Sequence, residues 1–514
     1  MSQTDSLSNN KRIAKNTLLL YFRMIIIMGV QLYTVRVILN TLGSSDYGLY
    51  NVVGGVVTMF AFLSSTMATA SQRYFAYEIG KGNKDQLQKT FSMTLLIYCM
   101  IGVIILLLAE TIGLWFLNNK MTIPPDRIAA ANWVYQFAIL SFILTMFQVP
   151  YNAMVIAHER MNIFAYVSIL EVSMKLLIVY LLIILPHDKL ITYAILGFIV
   201  TFIITSTYKI YCLRNFTESH FKYYWSKPLF KEITSYSGWN LFGAMASLMN
   251  NQGINIILNI FFGPIVNAAR AIAFQVNTSL NQFVQNFLTS TRPQITKYYA
   301  QGQVLSMVNM TLSVAKYSFF LLLLISLPLL VFTKDIFDLW LSSYPQYTIL
   351  FTRIIIITTL VDSLSYPLMA TFQATGRVKK YQIIVGGIIL FNVPISYLVF
   401  KYTTLDASAC LWIVFSVSLI CLLVRLILLQ QLLNMAIVKL FFLRVIIPII
   451  SVGSIMLLAS YMVKTYYISS YSYILISLSI LMAVYIALLC CIGLSAEEKS
   501  FLKKAFEKLK NKVK

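Results

Sequence analysis

Apolar runs of about twenty residues recur along the chain, divided by short stretches rich in Lys, Arg, Asn and Gly. A helix needs about 20 mainly apolar residues to cross a bilayer. On that measure the pattern predicts fourteen transmembrane helices, at 13–39, 48–70, 90–118, 129–155, 162–185, 190–212, 236–262, 264–290, 307–333, 347–374, 381–401, 406–430, 439–462 and 471–494. The fold class expected is all-α, a polytopic membrane protein. Polar positions break the pattern in an ordered way. Span seven carries Asn240, Ser247, Asn251 and Asn255, and span eight carries Arg270, Asn277, Asn281 and Gln285. Span two carries Thr58, Ser65, Thr69 and Gln72. Steps of three, four and seven put each set along one helix face. Such residues either hydrogen-bond neighbouring helices or line a water-filled cavity; a whole stripe of amides with an arginine favours the cavity.

The pattern also repeats. Pro150, Ala153, Ala157 and Arg160 in PYNAMVIAHER return as Pro367, Ala370, Ala374 and Arg377 in PLMATFQATGR. Gly43 in LGSSDYGLY answers Gly263 in FGPIVNAAR, and Arg73 and Gly82 answer Arg292 and Gly302 at nearly the same offset. Six spans per half is an even number, so both halves enter the membrane in the same direction and the repeat is parallel. The expectation is therefore two six-helix lobes around a central cavity, at 1–225 and 226–432. An extra helix pair at 433–494 and a basic amphipathic cytoplasmic tail at 495–514 follow.

Composition and charge narrow the class. Of 514 residues, 59% are apolar and 11% charged, which excludes a soluble domain. Net charge is +22, yet Lys and Arg lie mostly between the apolar runs, so nucleic acid is not an expected partner. Most of the 40 Lys and Arg fall in loops and tails that this segmentation puts on one side, which the positive-inside rule makes cytoplasmic. Both termini are then cytoplasmic. The six cysteines show no framework spacing and read as core thiols.

A charge near a helix centre costs roughly 2.5–3.5 kcal/mol on insertion scales, so each one needs a reason. Arg23 and Arg36 lie in span one, Arg270 in span eight and Arg353 in span ten. Arg36 and Arg353 sit near outer ends, where snorkelling accounts for them as well as a site does. Arg23 and Arg270 are deeper and are the first candidates for binding an anion, because the guanidinium fork matches phosphate oxygens. Glu171 and Lys175, four apart in span five, are expected to pair with each other. Asp362 in span ten is a candidate to carry a proton or sodium ion, or to neutralise one of the arginines. His158 and Glu159 sit in a tight turn and are expected to be solvated. No phosphate loop, nucleophile or metal constellation assembles, so no catalytic residue, metal or cofactor is expected and the chain does not read as an enzyme.

The opening KRIAKNTLLLYFRMIIIMGVQLYTVRVILNTLGSSDYGLYNVVGGVV resembles the first two spans of bacterial polysaccharide exporters. These form the O-antigen flippase branch of the multidrug/oligosaccharidyl-lipid/polysaccharide exporter superfamily. Leu42, Gly43, Tyr47, Gly48, Leu49, Tyr50 and Asn51 carry the most specific part, and the similarity covers about residues 10–430. The resemblance implies a bacterial cytoplasmic-membrane flippase that moves an undecaprenyl-diphosphate-linked oligosaccharide outward by alternating access. It also implies cationic cavity residues for the diphosphate, a proton or sodium ion as driving partner, and polysaccharide polymerase and glycosyltransferases as neighbours. On this reading Arg23 and Arg270 contact the diphosphate, and the stripes line the sugar route. The final span pair is similar to that of lipid II flippases, where added helices hold the lipid tail. The alternatives are a multidrug exporter of the same superfamily, whose cationic substrates call for acids in the cavity, and a non-transporting scaffold.

Overall fold

The computed structural model describes residues 3–58, 61–119, 123–185, 188–341, 344–465 and 471–493. The basic tail expected at 495–514 lies outside them. Among the described residues every regular element is helical. Eleven helices are long and apolar enough to cross a membrane. One of these, Lys227–Ala300, takes up two expected spans.

Backbone contacts divide the chain into two units. The first comprises Ile13–Ala244 together with Thr296–Gly302. Its helices are α1 (Gln3–Thr58), α2 (Ala61–Lys81), α3 (Lys84–Leu108), α4 (Leu114–Asn119), α5 (Ile128–Ala157), α6 (Met161–Ile184) and α7 (Lys189–Asn215). The start and end of α8 (Lys227–Ala300) complete it. The loop expected at 40–47 is a correction: α1 runs through it as continuous helix. This stretch is poor in helix formers but has no proline, so nothing in it forces the hydrogen-bond ladder to break. The boundaries of α5, α6 and α7 fall within a few residues of the apolar runs expected at 129–155, 162–185 and 190–212, whereas α2 runs on to Lys81, well past the expected end at 70. Along α3 the ladder slips into a π turn at Ala109–Gly113, where the Tyr135 hydroxyl donates to the Ala109 carbonyl at 2.8 Å. Such single π turns leave carbonyls available to side chains.

The second unit contains the start of α1 up to Arg12, Met245–Ile295 and the described residues from Gln303 onward. Its further helices are α9 (Val304–Val331), α10 (Thr333–Trp340), α11 (Thr348–Thr375), α12 (Lys379–Leu390), α13 (Asn392–Tyr402) and α14 (Ala409–Leu433). After these come α15 (Ile437–Phe441), α16 (Ile447–Thr465) and α17 (Tyr471–Leu488). Within α8 the chain bends at Gly263, whose φ of 78° and ψ of −176° suit glycine alone. Pro264 follows and supplies no N–H, so the two expected spans meet here. The span expected at 381–401 is broken between α12 and α13 just before Pro394 for the same reason.

The repeated motifs end the two most buried helices of their halves. Ala153 and Ala157 on α5, and Ala370 and Ala374 on α11, are fully or nearly buried. Small residues there let neighbouring backbones approach closely, which is the main packing device where lipid removes the hydrophobic drive between helices. In the first unit α5 packs on α2 and α7; in the second α11 packs on α9 and α14. The added α16 and α17 lie against α9, where the buried Tyr485 hydroxyl donates to the Phe320 carbonyl at 2.6 Å.

Candidate functional site

In the second unit the polar stripe of α8 faces α11. The Asn277 amide oxygen accepts from the Thr359 hydroxyl at 2.6 Å and from the Asn281 amide at 2.7 Å. Tyr366 donates to the Asn281 oxygen at 3.0 Å. Gln285 accepts from Arg292 at 3.1 Å. These amides therefore tie two helices together, as polar residues do in hydrocarbon. The upper part of the stripe differs. Arg270 is buried, donates to the Asn255 side-chain oxygen and lies 5.4 Å from the Phe274 ring. Its Nε is buried without an acceptor, and the side-chain oxygens of Asn250 and Asn267 are buried without a donor. Asn251 is half-buried on the same helix. Among the described residues Arg270 makes no ion pair with an acid.

Other expected residues are held elsewhere. Arg353 donates through Nε to the Thr333 hydroxyl at 3.0 Å and so joins α11 to the start of α10. Asp362, half-buried, accepts from Ser418 on α14. One helical turn on, the buried Arg425 donates to Ser365 at 3.0 Å and to the Tyr381 hydroxyl at 3.5 Å. Arg425 was not foreseen. Ser365 on α11 and Tyr381 on α12 mark it, whereas in the sequence it is one arginine near a span end, which reads as snorkelling.

The first unit contains a second membrane arginine, half-buried. Arg23 stacks over the Phe164 ring at 4.3 Å, and its Nε is buried without an acceptor. Glu171 and Tyr208 act on it electrostatically. Glu171 is itself joined to Lys175 at 2.6 Å, the expected helical pair. The side chain of Arg36 lies outside the described residues. Arg73, from the repeated motif, is buried over Tyr74 and Tyr77 at 4.4 and 5.0 Å, with Glu232 at 3.9 Å.

The turn after α5 overturns the expectation of solvated charges. Glu159 is 4% exposed and its carboxylate accepts from Lys297 at 2.6 Å. Asn16 on α1 donates to the Glu159 carbonyl at 3.3 Å. His158 stacks on Phe216 with ring centroids 4.1 Å apart and stands 3.0 Å from the Glu218 carboxylate. Burial pushes the His158 imidazole below the usual histidine range, and Glu218 opposes that push. The charges are buried because the segment Thr296–Gly302 and the Phe216–Ser219 turn close over them.

Arginines buried within the helix bundle, amide ladders and a duplicated helical scaffold define a multi-pass membrane protein with the fold of the MOP transporters. The chain is similar to an outward-facing multidrug resistance MATE family transporter of that superfamily, with a TM-score of 0.70 at 14% identity, covering 84% of this chain and 98% of that one. It is similar to a MOP superfamily transporter from Pyrococcus furiosus with a binding pocket of reverse polarity, at a TM-score of 0.67 and 14% identity, over 82% and 96% of the two chains. The MATE transporter ClbM, solved with Rb+, gives 0.71 at 15% identity, over 82% and 96%. The particular family follows from the sequence: residues 13–299 match the model of the polysaccharide biosynthesis proteins, and the chain belongs to that family. The uncharacterized membrane protein EpsK of Bacillus subtilis (strain 168) is 22% identical over 280 residues, which are 53% of this chain. The match spans 54% of EpsK, about half the length of that curated relative.

Proposed function

We propose that the protein exports a lipid-diphosphate-linked oligosaccharide across the bacterial cytoplasmic membrane, with both termini on the cytoplasmic side, and acts as a transporter and not as an enzyme. Arg270 in the second unit and Arg23 in the first are the groups proposed to meet the diphosphate. The carrying observation is that Arg270 is buried with its Nε unsatisfied and without an ion-paired acid among the described residues, while the half-buried Arg23 likewise has an unsatisfied Nε. An uncompensated buried charge is costly, of order several kcal/mol, and an incoming phosphate oxygen offsets that cost. Membership of the polysaccharide biosynthesis family supports a glycan as cargo. The amides of Asn251 and Asn255 are proposed to reach the sugars beside it.

Arg23→Ala together with Arg270→Ala is expected to abolish glycan export, read as loss of surface polysaccharide, with the protein still at wild-type level in the membrane. Normal export by the double variant would overturn the assignment. Asp362 is proposed as the group coupling transport to a proton or sodium gradient, through its hydrogen bond to Ser418. Asp362→Asn is expected to remove the dependence of export on pH or sodium; an unchanged dependence places coupling elsewhere. Export of a cationic drug by the wild type, with glycan export absent, would favour the multidrug reading instead.

A further inference from the structure

The turn between α11 and α12 carries a cationic cavity that the export reading does not use. Gly376 takes the left-handed conformation at φ 75° and reverses the chain at the end of α11. Arg377, Lys379 and Lys380 follow at once, all exposed, around the first turn of α12. They rim a cavity of about 640 Å³ that is also lined by the exposed Ile383, the half-buried Ile384 and the buried Leu428. No Asp or Glu is among the described residues that line it, and Lys380 donates to the Gln431 side-chain oxygen there at 3.4 Å. Val378, at the helix cap, provides no side-chain acceptor for the first N–H groups of α12. A helix N-terminus is already the positive end of its dipole, and cations there are unfavourable without an anion. The repeat sharpens the point. Arg377 is matched by Arg160, but Lys379 and Lys380 are matched by Asn162 and Ile163, so the lysines were not required by the scaffold.

We propose that this cavity binds an anionic phospholipid, its phosphate held by Arg377, Lys379, Lys380 and the α12 N-terminus, and its acyl chain lying on Ile383, Ile384 and Leu428. Charge complementarity selects the phosphate, and the apolar walls select a lipid over a free anion, which has no use for them. The turn also lies at the ends of spans that the positive-inside pattern assigns to the cytoplasmic face, where anionic headgroups meet basic pockets between helices. The protein's own 495–514 segment is excluded as occupant because it is itself rich in lysine. The inference stands apart from the export reading.

The test uses full-length protein purified in a neutral detergent and titrated with phosphatidylglycerol, phosphatidylcholine or inorganic phosphate, with bound molecules counted by native mass spectrometry. Saturable binding of phosphatidylglycerol is expected, with phosphatidylcholine and phosphate much weaker. Combining Arg377→Glu, Lys379→Glu and Lys380→Glu is expected to weaken that binding by about tenfold or more, and the milder pair Lys379→Gln and Lys380→Gln by a smaller factor. Ile384→Trp keeps every cation but fills the wall, and is expected to lose binding as well. Equal binding of both lipids, or wild-type binding by the charge variants, overturns the site. Loss with the charge variants but not with Ile384→Trp reduces it to surface attraction and overturns the groove. Displacement of phosphatidylglycerol by equimolar phosphate makes it an anion site and overturns the lipid.

Discussion

Position 159 has a glutamate where the repeat in the second half has Gly376, and both backbones are left-handed, at φ 60° and 75°. Glycine occupies that region freely, whereas a side chain there costs of order 1–3 kcal/mol. The strained glutamate persists because its carboxylate, 1% exposed, is paired with Lys297. Breaking a buried pair leaves one charge uncompensated and costs about 3–5 kcal/mol; Lys297 keeps some solvent, so the lower end applies. Glu159→Gln is therefore expected to lower stability by about 3 kcal/mol, read as a fall in the unfolding midpoint of the detergent-solubilised protein. An unchanged midpoint would mean the pair contributes nothing. The pair was illegible in the sequence because a charged residue in a short turn reads as solvated, and its partner is distant in the chain. Arg425 was hidden for a related reason: its partners Ser365 and Tyr381 come from other helices.

Helices were far more legible than sites. In hydrocarbon each backbone polar group must be satisfied within its own helix, so twenty apolar residues in a row leave few alternatives. The polar stripes also fell on one face, yet their role did not follow from that: Thr359 and Tyr366, invisible as partners in the pattern, take up the Asn277 and Asn281 oxygens. Helix crossings were not legible at all. Gly80 on α2 sits so close to the end of α8 that an added Cβ would lie 2.8 Å from the Ala300 Cβ and 2.9 Å from the Lys297 Cα. Backbone cannot give way cheaply, and overpacking costs about 1–3 kcal/mol. Gly80→Val is expected to lower the unfolding midpoint by several degrees, whereas Gly197→Val, where a Cβ meets nothing within 4 Å, is expected to leave it nearly unchanged. Equal effects at the two sites would show that the close crossing is not what glycine is there for.

Over the whole molecule, the duplication produces matching scaffolds with unmatched chemistry. Arg270 corresponds to Tyr50 and Arg23 to Gly243, so the proposed anion-binding groups were added to the repeat and not inherited from it. The second asymmetry is the segment Thr296–Gly302, which closes the first unit although it comes from the second half of the sequence. This has a consequence for biosynthesis. A ribosome that has delivered the first six spans into the membrane has not yet supplied Lys297, and Glu159 must wait beside an unfilled position. Nascent fragments ending near residue 240 are expected to be cleared by membrane proteases several times faster than fragments ending near 305, measured by pulse-chase. Equal lifetimes would mean that the closing segment is dispensable. Completion of the first unit is thus deferred until the second is partly made, and a gene cut between the two repeats would not yield two self-sufficient halves.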